Sequence, residues 1–276
     1  MSDVDYQVEN RVAVIRLQAS HRGNTFTPQM RKELNQCFIR YRDDEEAWVA
    51  VVAAEGSDFC LGSHGRAEAT HMARREQALF WSGGYVETWK PTIAAVQGSC
   101  RGEGMALALG CDLRIAEKTA SFQTDFESLD SGPNVLAVWL TNLVGLAITF
   151  ELLWGGQNLP AADAQDLGLV NRLVLAGDVD DSGDADTGRL PITPMQTTIT
   201  TTEGTAISGG LKLAQELLQY APVTRSFQKA TAYRSIGVPF HYAQSLEVGP
   251  NPYASEDRIE GTRAFVENRR PVWRNR

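Results

Sequence analysis

The sequence predicts an α/β protein, on three observations. Apolar runs rich in Val, Ile and Ala occupy residues 11–17, 48–55 and 92–96, each with the length of a strand. Between the first two, Met30, Leu34, Cys37, Phe38 and Tyr41 recur at helical spacing and mark a core-facing stripe. The second and third runs each lead into a glycine-containing turn, and after the third the chain takes on helical composition. Strand, turn and helix alternate, the pattern of a sheet covered by helices.

Taken in order, residues 11–17 alternate as a strand and Ser20-His21-Arg22-Gly23-Asn24 turns the chain. Thr27 followed by Pro28 starts a helix, because proline at the first helical position gives up no needed N–H. Residues 48–55 are the next strand. Met72, Leu79, Phe80, Trp81 and Tyr85, within residues 65–87, suit either plain core or the wall of an apolar pocket. Beyond the strand at 92–96 come a short strand at 113–116 and a segment at 120–123 that runs into a polar loop ending at Asn134. Residues 136–143 and 146–154 read as helices closed by Gly155-Gly156, and residues 161–167 as a helix capped by Gly168. A strand at 169–174 closes the main domain.

Residues 177–210 differ in composition. Asp178, Asp180, Asp181, Asp184 and Asp186 precede a mixture of Thr, Ile, Pro and Gly that offers little apolar surface to bury, so this stretch reads as an inserted loop. Helices then follow at 211–220, at 221–246 with a break near Gly237 and Pro239, and at 256–267.

The 276 residues are enough for one large core, and 43% hydrophobic with 22% charged residues is ordinary for a globular protein. A net charge of −8 argues against a nucleic-acid partner, which draws affinity from clustered Lys and Arg. No apolar run reaches the length of a membrane span, and the opening Met1-Ser2-Asp3-Val4-Asp5 is acidic, so the expectation is a cytoplasmic protein without a membrane partner. Cys37, Cys60, Cys100 and Cys111 lack metal-type spacing and read as reduced thiols; no metal site is expected.

Two turns carry the chemistry. Gln97-Gly98-Ser99-Cys100-Arg101-Gly102-Glu103-Gly104-Met105 joins a buried strand to a helix N-terminus, where backbone N–H groups point toward negative charge. Asp58-Phe59-Cys60-Leu61-Gly62-Ser63-His64 follows the strand upstream. Two such turns could each offer an N–H to one carbonyl oxygen.

These two turns, with Lys90-Pro91-Thr92-Ile93-Ala94-Ala95-Val96, Cys111-Asp112-Leu113-Arg114-Ile115-Ala116 and Gly168-Leu169-Val170-Asn171-Arg172-Leu173-Val174, resemble the crotonase, or enoyl-CoA hydratase/isomerase, superfamily. The resemblance implies a ββα spiral core over residues 1–176, the insertion at 177–210, and a C-terminal helical region at 211–276 that builds a homotrimer or a dimer of trimers. It further implies an acyl-CoA substrate, with coenzyme A entering as part of that substrate and no other cofactor. The backbone donors fall on Ser63 and Glu103, with Gly62 and Gly102 in their turns, and Arg22 and Arg66 as candidates for coenzyme A phosphates. Relatives usually carry glycine where Glu103 stands, so its side chain either brings a carboxylate toward the oxyanion or projects away.

The pattern breaks at the proton-transfer groups. The two glutamates of hydratases in this superfamily fall on Ala106 and Phe126, neither of which can move a proton. Asp125 and Glu127 flank Phe126, and Asp130 and Asn134 follow. Glu127 is the first candidate and Asp130 the second, because a carboxylate in an apolar acyl pocket would have its pKa raised toward proton transfer. His64 is either a base or a structural histidine of the first turn. Isomerisation or hydrolytic C–C cleavage, which need a single carboxylate, suit these residues better than two-glutamate hydration. The alternatives are a non-hydratase protein that binds an acyl thioester and a CoA-independent β-diketone hydrolase.

Overall fold

The computed structural model describes residues 2–63, 88–124, 135–177, 197–246 and 248–276. Its centre is a seven-stranded sheet, in the order 4–9, 12–17, 49–54, 92–96, 113–117, 172–176 and 198–201. β1 (Val4–Glu9) and β2 (Val12–Leu17) form an antiparallel hairpin in which Val4 faces Leu17 and Glu9 faces Val12. Asn10 and Arg11 turn it with φ of 49° and 68°, the twist that suits a two-residue hairpin loop.

Every later neighbour is parallel: β2 with β3 (Val49–Ala54), β3 with β4 (Thr92–Val96), β4 with β6 (Leu113–Glu117), β6 with β9 (Arg172–Ala176), and β9 with β10 (Thr198–Thr201). All five residues of β4 are buried, as expected of a parallel strand covered on both faces.

A second layer holds β5 (Ser99–Arg101), β7 (Ser121–Gln123) and β8 (Leu159–Pro160). Two isolated parallel bridges extend it, Cys60 with Cys100 and Phe26 with Ser63. Among the described residues, a strand of the large sheet followed by a shorter rung of the small layer leads into a helix twice. The helices are α1 (Pro28–Asp43), after the Phe26 rung, and α2 (Glu103–Gly110), after β5. This is the ββα spiral.

Thr27 starts α1 as its sequence predicts, its hydroxyl accepting from the Met30 N–H at 3.1 Å. Beyond the small sheet, α3 (Val135–Val144), α4 (Leu146–Gly155) and α5 (Ala161–Asp166) complete one side of the core.

The structure differs from the sequence reading over residues 197–210. Thr198–Thr201 is an edge strand, and α6 (Ala206–Leu218) begins well before residue 211, capped by the Thr205 hydroxyl. Threonine and isoleucine suit a pleated surface, so composition that looked loop-like forms a strand once β9 offers an edge. Gly209 and Gly210, which weaken the helical signal, sit where α6 touches the sheet. A Cβ on Gly209 would lie 2.6 Å from Val174 Cγ2, and one on Gly210 would lie 2.8 Å from Val51 Cγ1. The helix closes a second apolar core with Val51, Ile93, Ile115 and Ile199. The rest of the predicted insertion, residues 178–196, lies outside the described residues.

The C-terminal region holds α7 (Pro222–Ser235), α8 (Phe240–Ala243) and α9 (Glu256–Val266). Lys229 on α7 anchors it to the core, donating to Asp112 Oδ2 at 2.7 Å while that oxygen also accepts from the Thr92 N–H. Among the described residues no helix is long and apolar enough to cross a membrane.

Candidate active site

The small layer brings the two glycine-containing turns side by side. Phe59 N–H donates to Gln97 O at 2.9 Å, Cys60 N–H to Ser99 O at 3.1 Å, and Arg101 N–H to Cys60 O at 2.8 Å. Asp58 adds a side-chain link, accepting the Ser99 N–H on Oδ1 at 2.8 Å and the Ser57 hydroxyl on Oδ2 at 2.7 Å. Burial alone would raise the Asp58 carboxyl, but the Ser57 hydroxyl and the Ser99 amide outweigh it and hold the group below its ordinary value.

Asn24 fixes the upstream turn from the other side. Fully buried, it accepts the Ala19 N–H on Oδ1 and donates from Nδ2 to the carbonyls of Glu55 and Asp58.

Ser63 owes its orientation to the peptide before it. The Gly62 carbonyl accepts the Phe26 N–H at 2.8 Å, and the chain has no cis peptide among the described residues. In a trans peptide carbonyl and N–H point in opposite directions, so the Ser63 N–H is aimed away from Phe26. Ser63 is exposed and Gly62 is buried.

Glu103 opens α2, one residue after Gly102, whose φ of 48° and ψ of −115° are open to glycine and strained for other residues. An amide at the first helical position lies outside the helix's own ladder and points out of its positive end. Gly104 lets this helix end press onto the upstream turn: a Cβ there would lie 2.4 Å from Cys60 Cβ. Ser63 and Glu103 therefore sit at the ends of neighbouring rungs.

The Glu103 side chain resolves the question its sequence position raised. It runs to Arg31 on α1, which donates from Nη2 to Oε1 at 2.8 Å and to Oε2 at 2.7 Å, and from Nε to Oε2 at 3.1 Å. The carboxylate is held in an ion pair. Arg31 was not singled out in the sequence, since nothing local links it to a residue 72 positions away.

Ala106 is 2% exposed, in a helix buried throughout from Gly104 to Leu109, so the first hydratase glutamate position is a methyl group in the core. Cys100 is also buried; burial pushes its thiol well above the usual range, and burial likewise raises Cys60 to about 12. Neither is poised as a nucleophile.

Arg22 is committed to Asp3, just ahead of β1, its Nη2 donating to Asp3 Oδ2 at 2.6 Å and its Nη1 to Oδ1 at 3.1 Å. A phosphate would have to share or displace that carboxylate. His64, Arg66, Asp125, Phe126, Glu127, Asp130 and Asn134 lie outside the described residues.

A spiral of ββα turns with two glycine-containing turns on neighbouring rungs is the crotonase architecture. Residues 7–183 match the description of the enoyl-CoA hydratase/isomerase family, and the chain belongs to that family of enzymes. Among curated relatives it is similar to carnitinyl-CoA dehydratase of Salmonella enteritidis PT4, 29% identical over 256 residues that cover 88% of this chain and 87% of the relative. It is equally similar to the same-named protein of Citrobacter koseri, 29% identical with 92% of both chains covered. Among solved structures, enoyl-CoA hydratase from Bacillus anthracis superposes with a TM-score of 0.80, covering 99% of this chain and all of its own, at 20% identity. At that identity the likeness speaks to the fold.

Proposed function

We propose that the protein processes an acyl-CoA thioester through an enolate held by the Ser63 and Glu103 amides, with a single carboxylate moving the proton at the α-carbon. The observation that carries this reading is the Gly62–Ser63 peptide. Its carbonyl is locked onto Phe26, which aims the Ser63 N–H outward beside the positive end of α2. Each such donor is worth about 2.7–4 kcal/mol to a developing oxyanion.

The proton-transfer group is Glu127 first and Asp130 second. Ala106 takes away one of the two glutamates that hydration uses, so isomerisation and hydrolytic C–C cleavage fit better than addition of water. A second reading has support in the relatives named carnitinyl-CoA dehydratase: elimination of water from a substituted acyl-CoA, which also begins with loss of the α-proton. Coenzyme A enters only as part of the substrate, and no other cofactor is invoked.

The chain works as a homo-oligomer, a trimer or a dimer of trimers. In support, Phe240, Tyr242, Ile259, Phe265 and Val266 expose apolar side chains on α8 and α9 of a single chain.

The test is crotonyl-CoA turnover, followed by loss of the enoyl-thioester absorbance, in wild type, Glu127→Gln and Asp130→Asn. Turnover by wild type means that a relocated carboxylate supports hydration after all; its loss only in Glu127→Gln assigns that role to Glu127, and loss only in Asp130→Asn moves it to Asp130. Wild type that binds CoA but leaves crotonyl-CoA intact points to isomerase or C–C hydrolase substrates.

A further inference from the structure

We infer that Arg31 is a positioning residue for the oxyanion site, holding Glu103 as a closed ion pair so that its amide donates to an enolate without a bare carboxylate beside it. The inference rests on the enolate reading above.

Three observations lead to it. The Arg31 guanidinium engages both Glu103 oxygens through three contacts of 2.7–3.1 Å, a bidentate geometry with direction as well as charge. The pair is largely shielded, with 10% of the Arg31 side chain and 21% of the Glu103 side chain exposed, so solvent screens it less than a surface pair. It also shares a short segment with the other donor. Phe26 fixes the Gly62–Ser63 peptide, Thr27 caps α1, and Arg31 follows one turn later. One segment, residues 26–31, therefore sets the direction of the Ser63 amide and the state of the Glu103 side chain.

The reaction accumulates negative charge next to the Glu103 N–H, and the same residue carries a carboxylate. Unpaired, that carboxylate would oppose the charge the amide stabilises, and at low effective dielectric a like charge a few ångströms away matters. Paired with Arg31, the side chain presents almost no net charge. Glutamate at this position is tolerated because arginine stands opposite.

The experiment uses acetoacetyl-CoA, a 3-oxoacyl thioester whose enolate absorbs in the ultraviolet and which does not need turnover to report on the site. Its apparent ionisation pH, bound to the enzyme, is titrated in wild type, Arg31→Met, Arg31→Lys and the Arg31→Met/Glu103→Gln double variant. Near-ultraviolet circular dichroism checks folding of each.

We expect Arg31→Met to raise the ionisation pH by about 1–2 units, a roughly 10–100-fold loss of enolate. Arg31→Lys should retain part of the effect, and removing the Glu103 charge in the double variant should recover most of what Arg31→Met loses. A merely structural tie would leave the double variant no better than Arg31→Met, which overturns the inference. An ionisation pH that does not move in Arg31→Met overturns it as well. Wild type that binds acetoacetyl-CoA without stabilising its enolate overturns the enolate reading itself and takes this inference with it.

Discussion

The two turns of the site reach similar ends by different means. The upstream turn, residues 58–63, takes its direction from backbone contacts and from two buried or half-buried side chains behind it, Asn24 and Asp58. The downstream turn, residues 97–104, takes its direction from a helix start and places a charged side chain at the proposed donor, balanced by a residue on another helix. The first can change its exposed side chains freely, because its proposed donor is a peptide held by another peptide. The second ties its donor position to a charge pair, so a change at either member is felt at the other.

The contact between the turns offers the largest break. Gly104→Val puts branched carbon where Cys60 Cβ is 2.4 Å away, and both are backbone-proximal atoms with little freedom to yield. The rungs must move apart, and with them the two donors. We expect enolate formation from acetoacetyl-CoA to fall by about 100-fold or more, consistent with losing one donor, while stability in urea falls by about 1–3 kcal/mol.

Asn24→Ala is the next largest and acts on the upstream turn alone. It leaves the Ala19 N–H and the Glu55 and Asp58 carbonyls without their present partner, and places alanine at a φ of 53°. The expected cost is about 2–4 kcal/mol in urea unfolding. If the upstream turn is held redundantly, enolate formation at saturating ligand should fall far less than in Gly104→Val. An equal fall would show that Asn24 is its main support.

Both turns are legible because glycine follows a buried strand in each, and the order of several such motifs along the chain is enough for the family. The start of α1 is legible from Thr27-Pro28 because capping is local chemistry. β1 carries a readable alternation at Val4, Tyr6 and Val8, overshadowed by the polar residues between and around them. β10 is less readable, because a short Thr-rich run becomes a strand only when a neighbouring edge accepts it. The Arg31–Glu103 pair is not readable at all: its members are joined by the winding of the spiral and by no local spacing. The same holds for Asn24, which looks like any turn asparagine until its three partners are known.

The smallest expected effect is one of pH. Asp58 is the side-chain link between the turns, and its carboxyl is held below the ordinary carboxylate range by the Ser57 hydroxyl and the Ser99 amide against the opposing effect of burial. A folded value below the unfolded one means that its stabilising contribution is fully present above the unfolded value, about 4, and is lost as pH falls through the folded value. Asn at this position keeps an oxygen that can accept the Ser99 N–H, so Asp58→Asn should cost under about 1 kcal/mol at pH 7. The difference between wild type and variant should then shrink as urea midpoints are taken down through the acid range. A difference that stays constant from neutral pH into strong acid would show that the carboxylate charge does not join the turns, leaving the backbone contacts of Phe59, Cys60 and Arg101 as the whole of that joint.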